Sequence, residues 1–206
     1  AEAWLGLIRA HITMEHVDDA LAISHKAIEA LPNHPDGYLT AAVLDEANAR
    51  QLLETAVKKA GHDARVHSAL AEIRLQNGDG GAALASAEKA LAINPGDPVA
   101  LRVQLFAREL KAGTLDRAGY QGMLDARQTN GVGEHDVLVA KYPRSPAMRV
   151  ARSRAHRAAG DDVKALADLR AAQKLAPKEP EILGQLGLLL IDQKQPAEAA
   201  TVLAKA

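Results

Sequence analysis

Small and apolar residues recur along this chain at spacings of three, four and seven, the period that aligns side chains on one face of an α-helix. Five segments share an Ala-x3-small/apolar-x2-Ala framework: Ala20, Ser24, Ala27; Ala49, Leu53, Ala56; Ala83, Ala87, Ala90; Ala165, Leu169, Ala172; and Ala199, Leu203, Ala206. Pro32, Pro95 and Pro177 each follow the last Ala of their framework by five residues, and Gly61 takes that place in the second. A proline there stops the helix and turns the chain. A second amphipathic stretch precedes each framework. The clearest are Leu183-x2-Leu186-Gly187-x2-Leu190 and Trp4-x2-Leu7; Tyr38-x2-Ala41-Ala42, His67-x2-Leu70-Ala71 and Leu101-x3-Leu105 are weaker. Turn residues separate the members of each pair: Asn77-Gly78-Asp79-Gly80, Gly113-Thr114, Gly160-Asp161 and Gln195-Pro196. Glycine there can end a helix in the left-handed conformation, and the Asp or Thr that follows can cap the next. The pattern predicts an all-α chain of helical hairpins. Ser24 and Ser86 are expected to fill small-residue packing positions or adjacent surface.

This combination resembles the tetratricopeptide repeat, whose period is about 34 residues. The resemblance covers nearly the whole chain and implies an α-α superhelix, a solenoid of about six hairpins in a single domain, with an irregular insertion near 129–145. On that register the units are 1–34, 35–63, 64–97, 98–131, an irregular 132–145, 146–179 and 180–206. Two units depart from the period. The second has 29 residues, with the deficit placed at Asp45-Glu46-Ala47-Asn48, so its helices are expected to be short or abruptly joined. Between Pro98 and Pro146 there are 14 residues beyond one period, centred on Thr129-Asn130-Gly131-Val132-Gly133. Glu134–Lys141 then reads as a short extra helix ending at Tyr142-Pro143.

Composition agrees with a thin helical array. Hydrophobic residues make up 48% of the chain but aromatics only 2%, so the apolar content is mostly Ala and Leu. Both form helices readily, and Ala lets helix backbones approach closely. A net charge of -1 excludes a globally basic, nucleic-acid-coating protein. Cysteine is absent, which removes disulfides, thiolate metal sites and a cysteine nucleophile. No run of about 18 apolar residues is present to span a membrane. The chain begins Ala1-Glu2-Ala3-Trp4, and reads as a processed protein or a piece of a longer one.

No constellation of catalytic residues emerges, and no cofactor or metal is expected. The eight histidines form no His-x3-His pair and no His-Glu-x2-His motif. His11/His16 and His62/His67 are each five apart, poor spacing for one helical face. Gly78-Asp79-Gly80-Gly81 lacks the Lys-Ser/Thr of a phosphate loop, and Gly131-Val132-Gly133 follows no strand. The acidic pairs Asp18-Asp19, Asp45-Glu46 and Asp161-Asp162 lack the alternation of an EF-hand loop. The serines lie in or beside helical frameworks.

Function is therefore expected to be partner binding by a non-catalytic scaffold. The family resemblance implies that the first helix of each pair lines a concave groove that holds a protein or peptide. By helical position, the groove candidates are Leu5, Arg9 and Ile12; Leu39 and Val43; Arg65, Ser68 and Glu72; Arg102 and Phe106; Val150, Arg154 and Arg157; and Gly184, Gln185 and Leu188. Arg9, Arg65, Arg102, Phe106, Arg154, Arg157, Gln185 and Leu188 form the favoured partner-binding set, with the arginines as bidentate donors to an acidic segment. The Lys-and-Asn carboxylate clamp of chaperone-binding family members is not matched. Residues 1–63 carry five Lys/Arg and ten Asp/Glu, whereas residues 133–206 carry twelve and nine, which adds head-to-tail self-association as an expectation. Arg144, Arg149, Arg152, Arg154 and Arg157 crowd into fourteen residues, without the interleaved aromatics that nucleic-acid stacking needs. A narrower expectation is a periplasmic scaffold of bacterial envelope machinery, such as polysaccharide export or pilus and secretion assembly. Cytoplasm is the other compartment considered. A different class again is a non-catalytic region of a larger enzyme.

Overall fold

The computed structural model describes residues 1–129 and 131–205. Among these residues there are thirteen α-helices and no strand: α1 (Glu2–Thr13), α2 (Val17–Ala30), α3 (Pro35–Leu44), α4 (Ala49–Ala60), α5 (Ala64–Gln76), α6 (Gly80–Ile93), α7 (Pro98–Ala112), α8 (Arg117–Thr129), α9 (Val132–Lys141), α10 (Pro146–Ala158), α11 (Asp162–Leu175), α12 (Pro180–Asp192) and α13 (Pro196–Leu203). Asn130, in the expected break, and Ala206, which closes the fifth framework, lie outside the described residues. The chain divides into two compact units, Ala1–Gln104 and Leu105–Ala206, with the boundary inside α7.

In the first unit the second helix of each pair is built for close approach. Ala20, Ser24 and Ala27 of α2, Ala49, Leu53 and Ala56 of α4, and Ala83, Ala87 and Ala90 of α6 are all buried. Their small side chains let the partner helix come near. The first helix of the next hairpin comes near as well: a Cβ built on Gly37 of α3 would lie 3.0 Å from Ile28 Cγ1 and 3.2 Å from the Ile28 amide nitrogen of α2. Ser24 of the first framework and Ser86, beside Ala87 of the third, are buried without stranding a hydroxyl. Ser24 donates to the Ala20 carbonyl at 2.8 Å, and Ser86 donates to the Ala82 carbonyl at 3.0 Å. Apart from Leu53 of α4, the larger core residues come from the first helices, Ile8, Tyr38, Val66, Leu70 and Leu75. They gather in small groups such as Tyr38, Ala56 and Val66, instead of forming one thick core.

Turn chemistry sets the helix ends. Gly78, Gly113 and Gly160 take φ of 80°, 70° and 78°, conformations that cost an L side chain energy. Asp79 and Asp161 cap the helices that follow, accepting from the amides of Ala82 and Lys164 at 2.9 and 3.0 Å. Thr114 does not cap α8. Its hydroxyl donates back to the Glu109 carbonyl, and Asp116 supplies the cap by accepting from the Gly119 amide at 2.7 Å. The short second hairpin keeps a four-residue turn, Asp45–Asn48, closed by the Asp45 carboxylate on the Asn48 backbone and side-chain nitrogens. Its deficit falls on the helices: α3 has 10 residues and α4 has 12, against 13 and 14 in α5 and α6.

In the second unit the extra residues form α9, which packs against α8 and α10. Tyr142, at its C-terminal end, donates to Asp116 at 2.7 Å, and its ring lies over Gly119, where a Cβ would be only 2.6 Å away. Phe106 and Tyr120 meet edge to face at 5.2 Å between centroids, and both are buried. Glu109 of α7 reaches the start of α10. Its carboxylate accepts from the Ser145 hydroxyl and, at 2.6 Å, from the Ala147 amide, while Ser145 itself caps Met148. Burial is the largest influence on Glu109 and outweighs these hydrogen bonds, so its pKa is pushed up to about 7, with the nearby Glu179 charge adding to the rise. Burial also raises the pKa of Glu179, although Arg108 pairs with it at 2.8 Å.

Two outcomes test this packing. Ala83→Leu or Ala90→Leu should cost about 1–3 kcal/mol by overpacking the α5–α6 hairpin. The control Ala85→Leu, on the exposed face, should stay within roughly 0.5 kcal/mol in the same thermal melts. Because the Glu109 carboxyl holds its proton to higher pH folded than unfolded, stability should fall as pH rises from about 4.5 to about 7, then level off. Glu109→Gln should flatten this descent by on the order of 2 kcal/mol, read as the wild-type-minus-variant difference in urea unfolding at pH 5 and pH 8.

Candidate functional site

Two adjoining clefts open on the first unit. One, of about 390 Å³, lies among the first helices α1, α3 and α5 and is lined by Leu5, Ile8, Arg9, Ile12, Asp36, Leu39, Thr40, Val43 and Arg65. The other, of about 720 Å³, lies between α3, α4 and α5; Glu46, Arg50, Glu72, Ile73 and Gln76 form part of its wall. Leu39 and Val43 line both. Their position follows from α3 being apolar on every side, so that its aliphatic residues cannot all face inward. Tyr38, Ala41 and Ala42 face the core, which leaves Val43 outside and 75% exposed. The floor of the paired clefts is thus aliphatic and its rim is charged.

The structure brings six of the expected groove residues, Leu5, Arg9, Ile12, Leu39, Val43 and Arg65, into one cleft. Three others are core residues. Phe106, in the favoured set, is only 2% exposed and packed on Tyr120, and Ser68 and Val150 are buried too. None of the three can present its side chain to a partner. Gln185 is half-buried and donates to Glu181 at 3.3 Å, and Leu188 is exposed on α12.

Most of the arginines already hold carboxylates of their own chain. Arg65 of α5 pairs with Asp36 of α3 at 2.9 Å and with Asp63 at 2.7 Å, and its fork is the main reason the Asp63 carboxyl titrates below its ordinary range. Arg102 of α7 pairs with Glu72 of α5 at 2.5 Å. In the second unit Arg154 of α10 pairs with Glu181 of α12, and Arg157 with Asp192 at 2.7 Å. Arg152 grips Asp168 with two donors, at 2.8 and 2.6 Å, and reaches Asp136 at 2.8 Å. The cluster of arginines at 144–157 is therefore largely neutralised from within. The pairs run between successive first helices in four cases: Asp36–Arg65, Glu72–Arg102, Arg154–Glu181 and Arg157–Asp192. Their sequence separations of 29, 30, 27 and 35 residues are near one repeat, so the acid partners could have been sought one unit away. Arg9 differs: among the described residues it has no carboxylate partner, and it is exposed in the smaller cleft.

Outside the clefts, one group of three potential metal ligands converges among the described residues: His11, His16 and Asp19, with one ligand atom from each within 4.8 Å of the others. No helix of the described residues is long and apolar enough to cross a membrane.

Paired antiparallel helices with small residues at the pair interface, repeated along the chain, define a helical-hairpin repeat protein. Residues 46–98 match the tetratricopeptide repeat family, and the chain carries tetratricopeptide repeats. Solved structures align over nearly its whole length. The type IV pilus biogenesis factor PilW is 14% identical with a TM-score of 0.50, covering 99% of this chain and 90% of that one. A tetratricopeptide repeat protein from Parabacteroides merdae is 14% identical with a TM-score of 0.51, covering 98% and 75%. The TPR domain of P58(IPK) is 19% identical with a TM-score of 0.47, and covers 98% of this chain; the chain spans 58% of its length. The first two establish a shared all-α helical-repeat fold. No curated protein matches the sequence.

The internal pairing changes what an arginine substitution reports. Arg102→Glu should set two carboxylates against each other at Glu72 and destabilise the first unit by on the order of 1 kcal/mol. Adding Glu72→Arg should restore most of the loss in the same denaturant titration.

Proposed function

We propose that the chain is a protein-interaction scaffold whose partner lies in the paired clefts of the first unit. A general interaction role goes with the tetratricopeptide fold; the site and the partner's chemistry are read from the residues. One observation carries the reading: Val43, an aliphatic side chain three-quarters exposed, sits where the two clefts meet. An exposed aliphatic side chain ringed by charge is a cost in a free chain and an anchor in a bound one.

The occupant that fits is an extended or helical peptide with an apolar residue on Leu39, Val43 and Ile12 and a carboxylate beside it on Arg9. Arg9 is suited to that carboxylate because Arg65, next to it in the cleft, is committed to Asp36 and Asp63. Arg102, Arg154 and Arg157 are better placed as fasteners between helices than as partner contacts. Low aromatic content limits the affinity, since Trp and Tyr dominate strong interfaces. Catalysis has no part in this reading: the aliphatic floor and paired charges of the clefts supply no nucleophile with its base.

A displayed-peptide selection against the purified chain tests it. Recovered peptides should pair an apolar residue with Asp or Glu, and Val43→Asp should abolish their binding while leaving the melting temperature within the range of surface substitutions. Arg9→Glu should weaken acidic peptides at least tenfold, about 1.4 kcal/mol. Enrichment of basic peptides, or binding indifferent to Val43→Asp, would sink the assignment.

A further inference from the structure

The turn between α1 and α2 assembles donors that neither the fold nor the clefts use. His11 is in the last turn of α1, His16 is the N-cap of α2, and Asp19 is in the first turn of α2. Five residues would separate the two imidazoles on a continuous helix, but the helix ends between them. The His16 amide donates to the His11 carbonyl at 2.9 Å, and Glu15 adopts φ of 60°, a left-handed conformation unusual for a residue with a side chain. That reversal carries the His16 ring back to within 5.9 Å of the His11 ring. Asp19 Oδ2 then lies 3.6 Å from His11 Nδ1 and 3.8 Å from His16 Nδ1.

These separations are too long for hydrogen bonds and suited to donors sharing an ion. Zinc–nitrogen and zinc–oxygen bonds of about 2.0–2.2 Å place two ligands of one ion roughly 3–4 Å apart. A second observation points the same way: His11 Nδ1 is buried and, among the described residues, makes no hydrogen bond, a state that ordinarily costs free energy. It faces the Asp19 carboxylate at a distance that an ion would bridge.

We propose that His11 Nδ1, His16 Nδ1 and the Asp19 carboxylate form a binding site for a divalent first-row transition ion, Zn²⁺ being the probe of choice. Two neutral imidazoles and one carboxylate suit zinc, nickel, cobalt or copper, whereas magnesium and calcium favour all-oxygen shells. The ion ties the end of α1 to the start of α2, and its remaining positions go to water or to a side chain from outside the chain. His16 and Asp19 are exposed, so they adjust to the ion at little cost, while His11 is anchored. The site is independent of the clefts.

Calorimetric titration of the EDTA-treated, dialysed chain with ZnCl₂ tests it. One ion per chain should bind saturably, and the melting temperature should rise with ZnCl₂ as expected for a ligand of the folded state. His16→Ala and Asp19→Asn should each weaken binding by more than about tenfold, since even groups that only orient a ligand are worth that much. His25→Ala, an exposed histidine of α2 away from the turn, should change nothing. Saturable binding left intact by His16→Ala and Asp19→Asn overturns the proposal, as does the absence of saturable binding in the wild type. Both substitutions are at exposed positions, and retained helicity by circular dichroism separates loss of a ligand from loss of the fold.

Discussion

Everything in this chain depends on how closely two helices of a hairpin can approach. Alanine and serine at the framework positions allow that approach, and they let the next hairpin come as near, as Gly37 of α3 does against Ile28 of α2. A core made this way is thin. It buries little area per residue, so no single cluster dominates, and the hydrophobic contribution is spread along the chain in proportion to area. Close approach also leaves first-helix side chains with little choice: those near the pair interface are engulfed, and those one step around the helix are left outside. Val43 and Tyr38, five positions apart on α3, fall on opposite sides of that divide.

Thin packing gives polar groups more to do. Carboxylates one repeat away take up Arg65, Arg102 and Arg154, and each pair spans from one first helix to another. In an array of this kind neighbouring repeats are the main contacts, so such fasteners act on the interface terms that couple one repeat to the next. Half-exposed pairs contribute little each. Their value is geometric: they resist sliding of one first helix along another, which a smooth alanine interface does not.

The fold was legible because its determinants are local. Helix period, proline stops and glycine-aspartate turns are all read within a few residues, and they placed the hairpins and α9, whose start lies at Val132 instead of Glu134. The site was legible only in part. Arg9, Leu39 and Val43 were reachable by helical position, yet Phe106 was misassigned because a helical wheel does not say which of two neighbouring faces the next helix covers. The Thr114 cap failed for a similar reason, since Asp116, two residues on, offers a charged acceptor at the first free amides of α8. Charge was the least readable property. Nothing within a dozen residues of Arg102 reveals that Glu72 awaits it, and the His11–His16 juxtaposition exists only because the helix stops between them.

The scarcity of aromatic rings has an optical consequence. Trp4 is the chain's one tryptophan, half-buried on α1 beside Ile8 and Leu31. Its fluorescence therefore observes the first hairpin, whose turn holds His11 and His16, and the border of that hairpin with α3. Far-ultraviolet ellipticity, by contrast, averages over every helix. The two signals sample different lengths of the same molecule, and the gap between their unfolding midpoints is a direct measure of how far cooperativity extends from one hairpin to its neighbours.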